Sequence, residues 1–148
     1  MIGRATQGPL ISQPLVWMLV FERLASTRFL NFAAMGKYKH VKAFGYVPFL
    51  HVWTFFDPSW NRTELIIAQD GRPAAYLIEK WVVDADVMEF ARLEAEWLLP
   101  PLGGWCVPQI KRLIGLRSGA LRPDALWRDC LANGGLPLES KHGKIPNR

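Results

Sequence analysis

Hydrophobic positions in this chain recur in two rhythms, and the changes between them outline a domain. Val16, Trp17, Val20, Phe21 and Leu24 stand at helical spacing behind Ser12, a capping residue, and Pro14, whose missing N–H is harmless in a first turn. The spacing predicts an N-terminal helix. With Leu15 and Leu19 on its other side it is apolar nearly all round, as a buried helix is.

From Arg28 the pattern alternates. Residues 37–44 and 49–56 read as strands around a turn or bulge at 45–48, the second apolar on both faces and so central. Residues 63–69 and 73–83 are both rich in strand formers. Asp70-Gly71 between them suits a tight type I′ turn, which predicts a hairpin. Residues 84–99 return to helical spacing, with Val87, Phe90, Ala91, Leu93, Trp97 and Leu98 on one arc and Asp86 and Glu89 spaced as a capping box. Glu94 falls inside that arc, where a cation from a basic flank would pair with it. The prolines and glycines of 100–104 break the chain. Two short amphipathic helices follow at 108–116 and 123–131, the second stopped by Gly134-Gly135.

These elements predict one α+β domain over residues 12–136: an N-terminal helix, a mainly antiparallel sheet of about four strands, and C-terminal helices packed on the sheet. Residues 1–11 read as a flexible lead and 137–148 as a basic, disordered tail.

Composition refines this picture. A chain of 148 residues, half of them hydrophobic, is long enough to bury a core without disulfides. Seven Trp and eight Phe make that core unusually aromatic. The formal charge of +5 is segregated: residues 82–100 hold one cation against five acids, while 1–46 hold six against one and 101–148 eight against three. Basic flanks around an acidic segment suit an acidic partner or simply neutralise that segment. Cys106 and Cys130 have no paired spacing and no histidine close in sequence, so neither a zinc site nor a disulfide framework is implied and a reducing cytoplasm fits. The apolar run at 14–21 is far shorter than the ~20 residues that cross a bilayer, so no transmembrane segment is expected.

Three functional classes compete. The leading expectation is a small non-enzymatic binding or regulatory protein that meets a protein or nucleoprotein partner through an aromatic and basic surface. That surface takes in the first helix, Trp60, Trp105 and the C-terminal helices, because aromatic and arginine side chains concentrate at interface hot spots. The first alternative is a nucleic-acid-binding regulator. Lys111, Arg112, Arg117 and Arg128 supply phosphate-seeking charge on a helix pair, and Lys37, Lys39 and Lys42 flank Tyr38, a ring able to stack on a base. The link at 115–122 is longer than a helix-turn-helix allows, and Asp124 and Asp129 would repel phosphate. The second alternative is a hydrolase or nuclease in which a turn at 45–48 brings His40 and His51 together, with Asp57 just beyond, for acid–base chemistry. Glu79 and Lys80 are adjacent and point to opposite faces of a strand, so they cannot join Asp70 around one metal. No phosphate loop, dinucleotide-binding glycine run or nucleophile elbow is present, and the sequence implies no cofactor and no metal.

Overall fold

The structure, a computed structural model, describes residues 13–24, 36–94 and 104–139. Within these residues the chain forms a single α+β domain of six strands and three helices: β1 (Val16–Glu22), β2 (His40–Val47), β3 (Val52–Pro58), β4 (Thr63–Gln69), α1 (Arg72–Val82), β5 (Ala85–Ala91), α2 (Cys106–Ile114), α3 (Pro123–Ala132) and β6 (Leu136–Leu138). Every strand pairing is antiparallel, in the order β4-β3-β2-β1-β5-β6. The sheet has six strands where the sequence predicts about four.

Helices cover both faces. Trp17, Leu19, Phe21, Val41, Ala43, Met88 and Phe90 pack under Val107, Ile110 and Ile114 of α2 and Leu126 and Cys130 of α3. On the other face Val20, Phe44, Phe55 and Ala68 pack under Ala74 and Trp81 of α1. A strand between two such layers is apolar on both sides, and this explains β1. The expected N-terminal helix is instead a central strand, with Leu19 opposite Ala43 on one side and Met88 on the other. An unbroken apolar run satisfies a helix wheel and a doubly covered strand equally.

Asp70-Gly71 does reverse the chain, but into a helix. Gly71, at φ 108°, is the N-cap of α1, Pro73 lies in its first turn, and the Asp70 carboxylate accepts from the Gly71 N–H (3.0 Å). The predicted second arm of the hairpin is therefore wrong. Ala74, Leu77, Ile78, Trp81 and Val82 stand at i, i+3, i+4, i+7 and i+8, and all face the sheet. The predicted helix at 84–99 is also overturned over residues 85–91, which form β5. Asp86 caps nothing: its carboxylate takes the Tyr38 hydroxyl (2.6 Å) and ion pairs with Lys37 (2.8 Å) and Arg23 (3.3 Å). Glu94 is exposed. The turn expected at 45–48 lies at 48–51, and β2 pairs with β3 from Val47↔Val52 to Ala43↔Phe56.

The two C-terminal helices appear as expected, α2 starting two residues earlier at Cys106. Expectations for residues 1–12, 28–35, 95–103 and 140–148 lie outside the described residues. No helix among the described residues is long and apolar enough to cross a membrane.

Candidate functional site

Pairing between β2 and β3 ends at Ala43↔Phe56, and just beyond it the strand ends carry His40 and Asp57. His40 Nε2 lies 2.6 Å from Asp57 Oδ1, a charge-assisted distance. The thiol of Cys106, the first residue of α2, is near enough to act on the same imidazole. Two neighbouring strands and the start of a distant helix thus converge on one histidine.

The electrostatics follow from that setting. Burial of His40 opposes its charge most strongly, yet the Asp57 carboxylate and Cys106 outweigh it, and the imidazolium is pushed up to about 10 from an ordinary 6.5. Burial likewise opposes ionisation of Asp57. The His40 hydrogen bond and the charges of His40, Lys42 and Arg62 prevail and hold its carboxyl below the usual carboxylate range. At neutral pH the pair is an imidazolium and a carboxylate.

Helix α2 adds polarity. Its N-cap is Trp105, whose side chain caps nothing, and its first turn holds no acid. The N–H groups of Cys106 and Val107 belong to the unsatisfied start of the helix, and Pro108 has none to offer. Such a terminus favours negative charge beside it. Cys106 is only 7% exposed. Next to it the Trp105 ring stacks on Trp60, at 6.3 Å between centroids and 26° between planes, and Trp60 is 71% exposed. Trp105 is held by its Nε1–H donating to Leu121 O (3.1 Å). Gln109 ties the first turn to its surroundings, donating to Gly104 O (2.7 Å) and accepting from the Thr63 hydroxyl (3.4 Å).

Of the acid–base residues named from the sequence, His40 and Asp57 meet and His51 does not join them. His51 is exposed in the turn at the far end of the hairpin, at φ 52°, with Nδ1 3.1 Å from the Tyr46 hydroxyl. The turn position decides this, since it falls three residues later than the pattern suggests. Cys106 is the residue that sequence reasoning missed, because its histidine lies 66 positions away. The available signal was a lone cysteine opening a helix straight after Gly103-Gly104-Trp105, in a chain with a histidine and an aspartate on strands.

The basic residues scatter. Lys42 is buried, paired with Glu22 and seated 4.6 Å over the Trp81 ring. Lys111 is buried too, its ammonium donating to Ser118 O (2.8 Å) and Ala120 O (2.7 Å), where it holds the loop after α2. Lys37 is paired with Asp86, and Lys39 is half-buried where its N–H donates to Glu22 O (2.8 Å). Arg112, Arg117 and Arg128 are exposed. Arg128 shares the rim of a shallow cavity of about 400 Å³ with Lys37 and Arg122. There Asp124 is occupied by the Lys37 and Tyr38 N–H groups (3.0 and 3.2 Å). Among the described residues no three His, Cys, Asp or Glu side chains are grouped so as to hold a metal ion.

No protein-family model matches the chain, and no characterised protein or solved structure compared with it does so either.

Proposed function

We propose that the protein is a thiol-dependent acyl hydrolase or transferase, with Cys106 as nucleophile, His40 as general acid–base and Asp57 as the residue that orients and charges His40. What supports this reading is a half-buried histidine held 2.6 Å from a carboxylate, with the thiol that opens α2 among the groups that raise its pKa, the residue set that activates a nucleophile. It is nearest to the hydrolase alternative read from the sequence, with Cys106 in the place given there to His51.

The chemistry runs as follows. The Cys106 sulfur attacks in its thiolate form, beside the His40 imidazolium, at the carbonyl carbon of an ester, thioester or amide. The carbonyl electron pair moves to oxygen, and that oxyanion is met by the N–H groups that open α2. The imidazolium gives its proton to the leaving group as the carbon–heteroatom bond breaks, which leaves a thioester on Cys106. Water, or another acceptor, then loses a proton to His40 and attacks the thioester, whose carbon–sulfur bond breaks to release the acyl product and restore the thiolate beside the imidazolium. Trp60 and Trp105 would be the aromatic groups an incoming acyl donor meets first.

The test uses p-nitrophenyl acetate as an acyl donor, with mass spectrometry of the digested protein. An acetyl group on the Cys106 peptide is expected, and none on Cys130. His40→Ala should slow acylation by about 10²–10⁴-fold, and Cys106→Ser should abolish it. Acylation at an unchanged rate in His40→Ala, or located elsewhere, overturns the reading.

A further inference from the structure

We infer that β4 is a self-pairing edge, through which two copies of this chain join their sheets about a twofold axis at Ile66. This rests on strand geometry and is independent of the chemistry proposed above.

The sheet has two edges. One, β6, has three residues with Pro137 in the middle, a short and proline-blocked strand of the sort that discourages pairing. The other, β4, has seven residues, pairs with β3 without a bulge from Pro58↔Thr63 to Val52↔Gln69, and holds no proline. Glu64 is its one charged residue. Asp70 N–H donates to His51 O (3.1 Å), so residues 70 and 51 are a hydrogen-bonded pair. In the alternation of an antiparallel ladder, 64, 66 and 68 then turn their backbone groups inward to β3, while Leu65, Ile67 and Gln69 turn theirs outward.

The side chains follow the same alternation. Ile66 and Ala68 face α1 and are packed there. Leu65 and Ile67 project from the other face and are 61% and 66% exposed, a large apolar area for a strand that pairs with β3 alone among the described strands. Helix α1 leaves the edge at once, running from β4 back across the sheet to β5.

Charge selects the occupant. Antiparallel pairing of β4 with its own copy, centred on Ile66, sets Leu65 opposite Ile67 of the second copy and Arg62 opposite the second copy's Asp70, twice by symmetry. Shifting by one step toward Gln69 sets Glu64 against Asp70, two like charges. Shifting the other way sets Arg62 against Ala68 and loses both ion pairs. Arg62 is free to respond, being 74% exposed and bound only loosely to Glu64 at 3.5 Å. Asp70 accepts from Trp53 Nε1 (2.9 Å) and from the Gly71 N–H through one oxygen, Oδ1. The self-complementary register, with outward backbone groups paired at 65↔67, is what an isologous interface requires.

The test is sedimentation velocity on the full chain from about 1 to 200 µM, a range that brackets the affinity of a small edge interface. A concentration-dependent dimer is expected. Leu65→Pro removes an outward N–H and none that β3 uses, so it should leave a folded monomer with unchanged circular dichroism. Arg62→Glu and Asp70→Lys should each weaken the dimer about tenfold or more, and the double variant should recover most of that loss. A monomer throughout, a dimer indifferent to Leu65→Pro, or a double variant no better than either single one overturns the inference.

Discussion

Gly115→Ala should unfold much of what holds α2 in place, and the size of the effect follows from the backbone angle at Gly115 and the groups around it. Gly115 ends α2 at φ 72°, a left-handed conformation that costs an L-residue about 1–2 kcal/mol. A Cβ there would stand 1.9 Å from Leu93 O, a backbone atom that cannot rotate away. Relief requires separating α2 from the chain that leaves β5, which breaks the Leu93 N–H bond to Ile114 O (2.8 Å) and strains the closing bonds of Gly115 N–H to Arg112 O and Leu116 N–H to Lys111 O. One lost hydrogen bond adds about 1 kcal/mol, so the whole should reach about 3 kcal/mol, a large part of the ~5–15 that hold a domain folded. Urea unfolding followed by tryptophan fluorescence measures it. Gly119→Ala is the control, because a Cβ there meets nothing within 4 Å, and a change within about 1 kcal/mol is expected. Since Cys106 opens the same helix, the Gly115 variant should also change the rate at which iodoacetamide labels Cys106. Equal losses for the two glycines would refute the reasoning.

Because His40 keeps its proton to about 10, the alkaline limb of kcat/KM should lie near pH 10. Asp57→Asn should move it down, since burial then acts on the imidazole with less opposition. Burial pushes the Cys130 thiol up to about 12 from an ordinary 9.0. The unfolded chain therefore releases that proton first, and stability should fall from about pH 9 to 12 by up to ~1.4 kcal/mol per pH unit. Cys130→Ala should show the shallower fall in urea titrations across that range. Lys111→Met leaves Ser118 O and Ala120 O without their donor and should cost about 2 kcal/mol, whereas exposed Arg112→Ala should stay within about 0.5 kcal/mol.

What could be read from the sequence was whatever local chemistry dictates. Helix α3 starts at Pro123 and ends just before Gly134, and α2 ends at Gly115, residues whose backbone preferences hold in any tertiary setting, while α2 starts two residues ahead of Pro108. Asp70-Gly71 likewise marks a reversal correctly. Burial on two sides was not legible. In β1 the run from Val16 to Phe21 is apolar everywhere because helices cover both faces, and that removes the polar positions by which a helix and a strand are told apart. In β5 Val87 and Phe90 fit one helical arc, yet they lie on opposite faces of the sheet, and Asp86 faces three partners that no local pattern announces.

The candidate site divides along the same line. His40 and Asp57 are near enough in sequence for a hairpin to suggest their meeting, and the hairpin alone brings them to 2.6 Å. Cys106 reaches them only because α2 packs across β2 and β3, a contact fixed by Val107, Ile110 and Ile114 pressing on Val41 and Ala43. Recognition of the trio therefore depends on the core first. A substitution that loosens α2 on the sheet, such as Ile110→Ala, should remove about 2–5 kcal/mol of stability and should also slow Cys106 acylation in the fraction that remains folded. If acylation per folded molecule were unchanged, the thiol would owe nothing to its place beside His40, and the catalytic reading would fail while the fold stood.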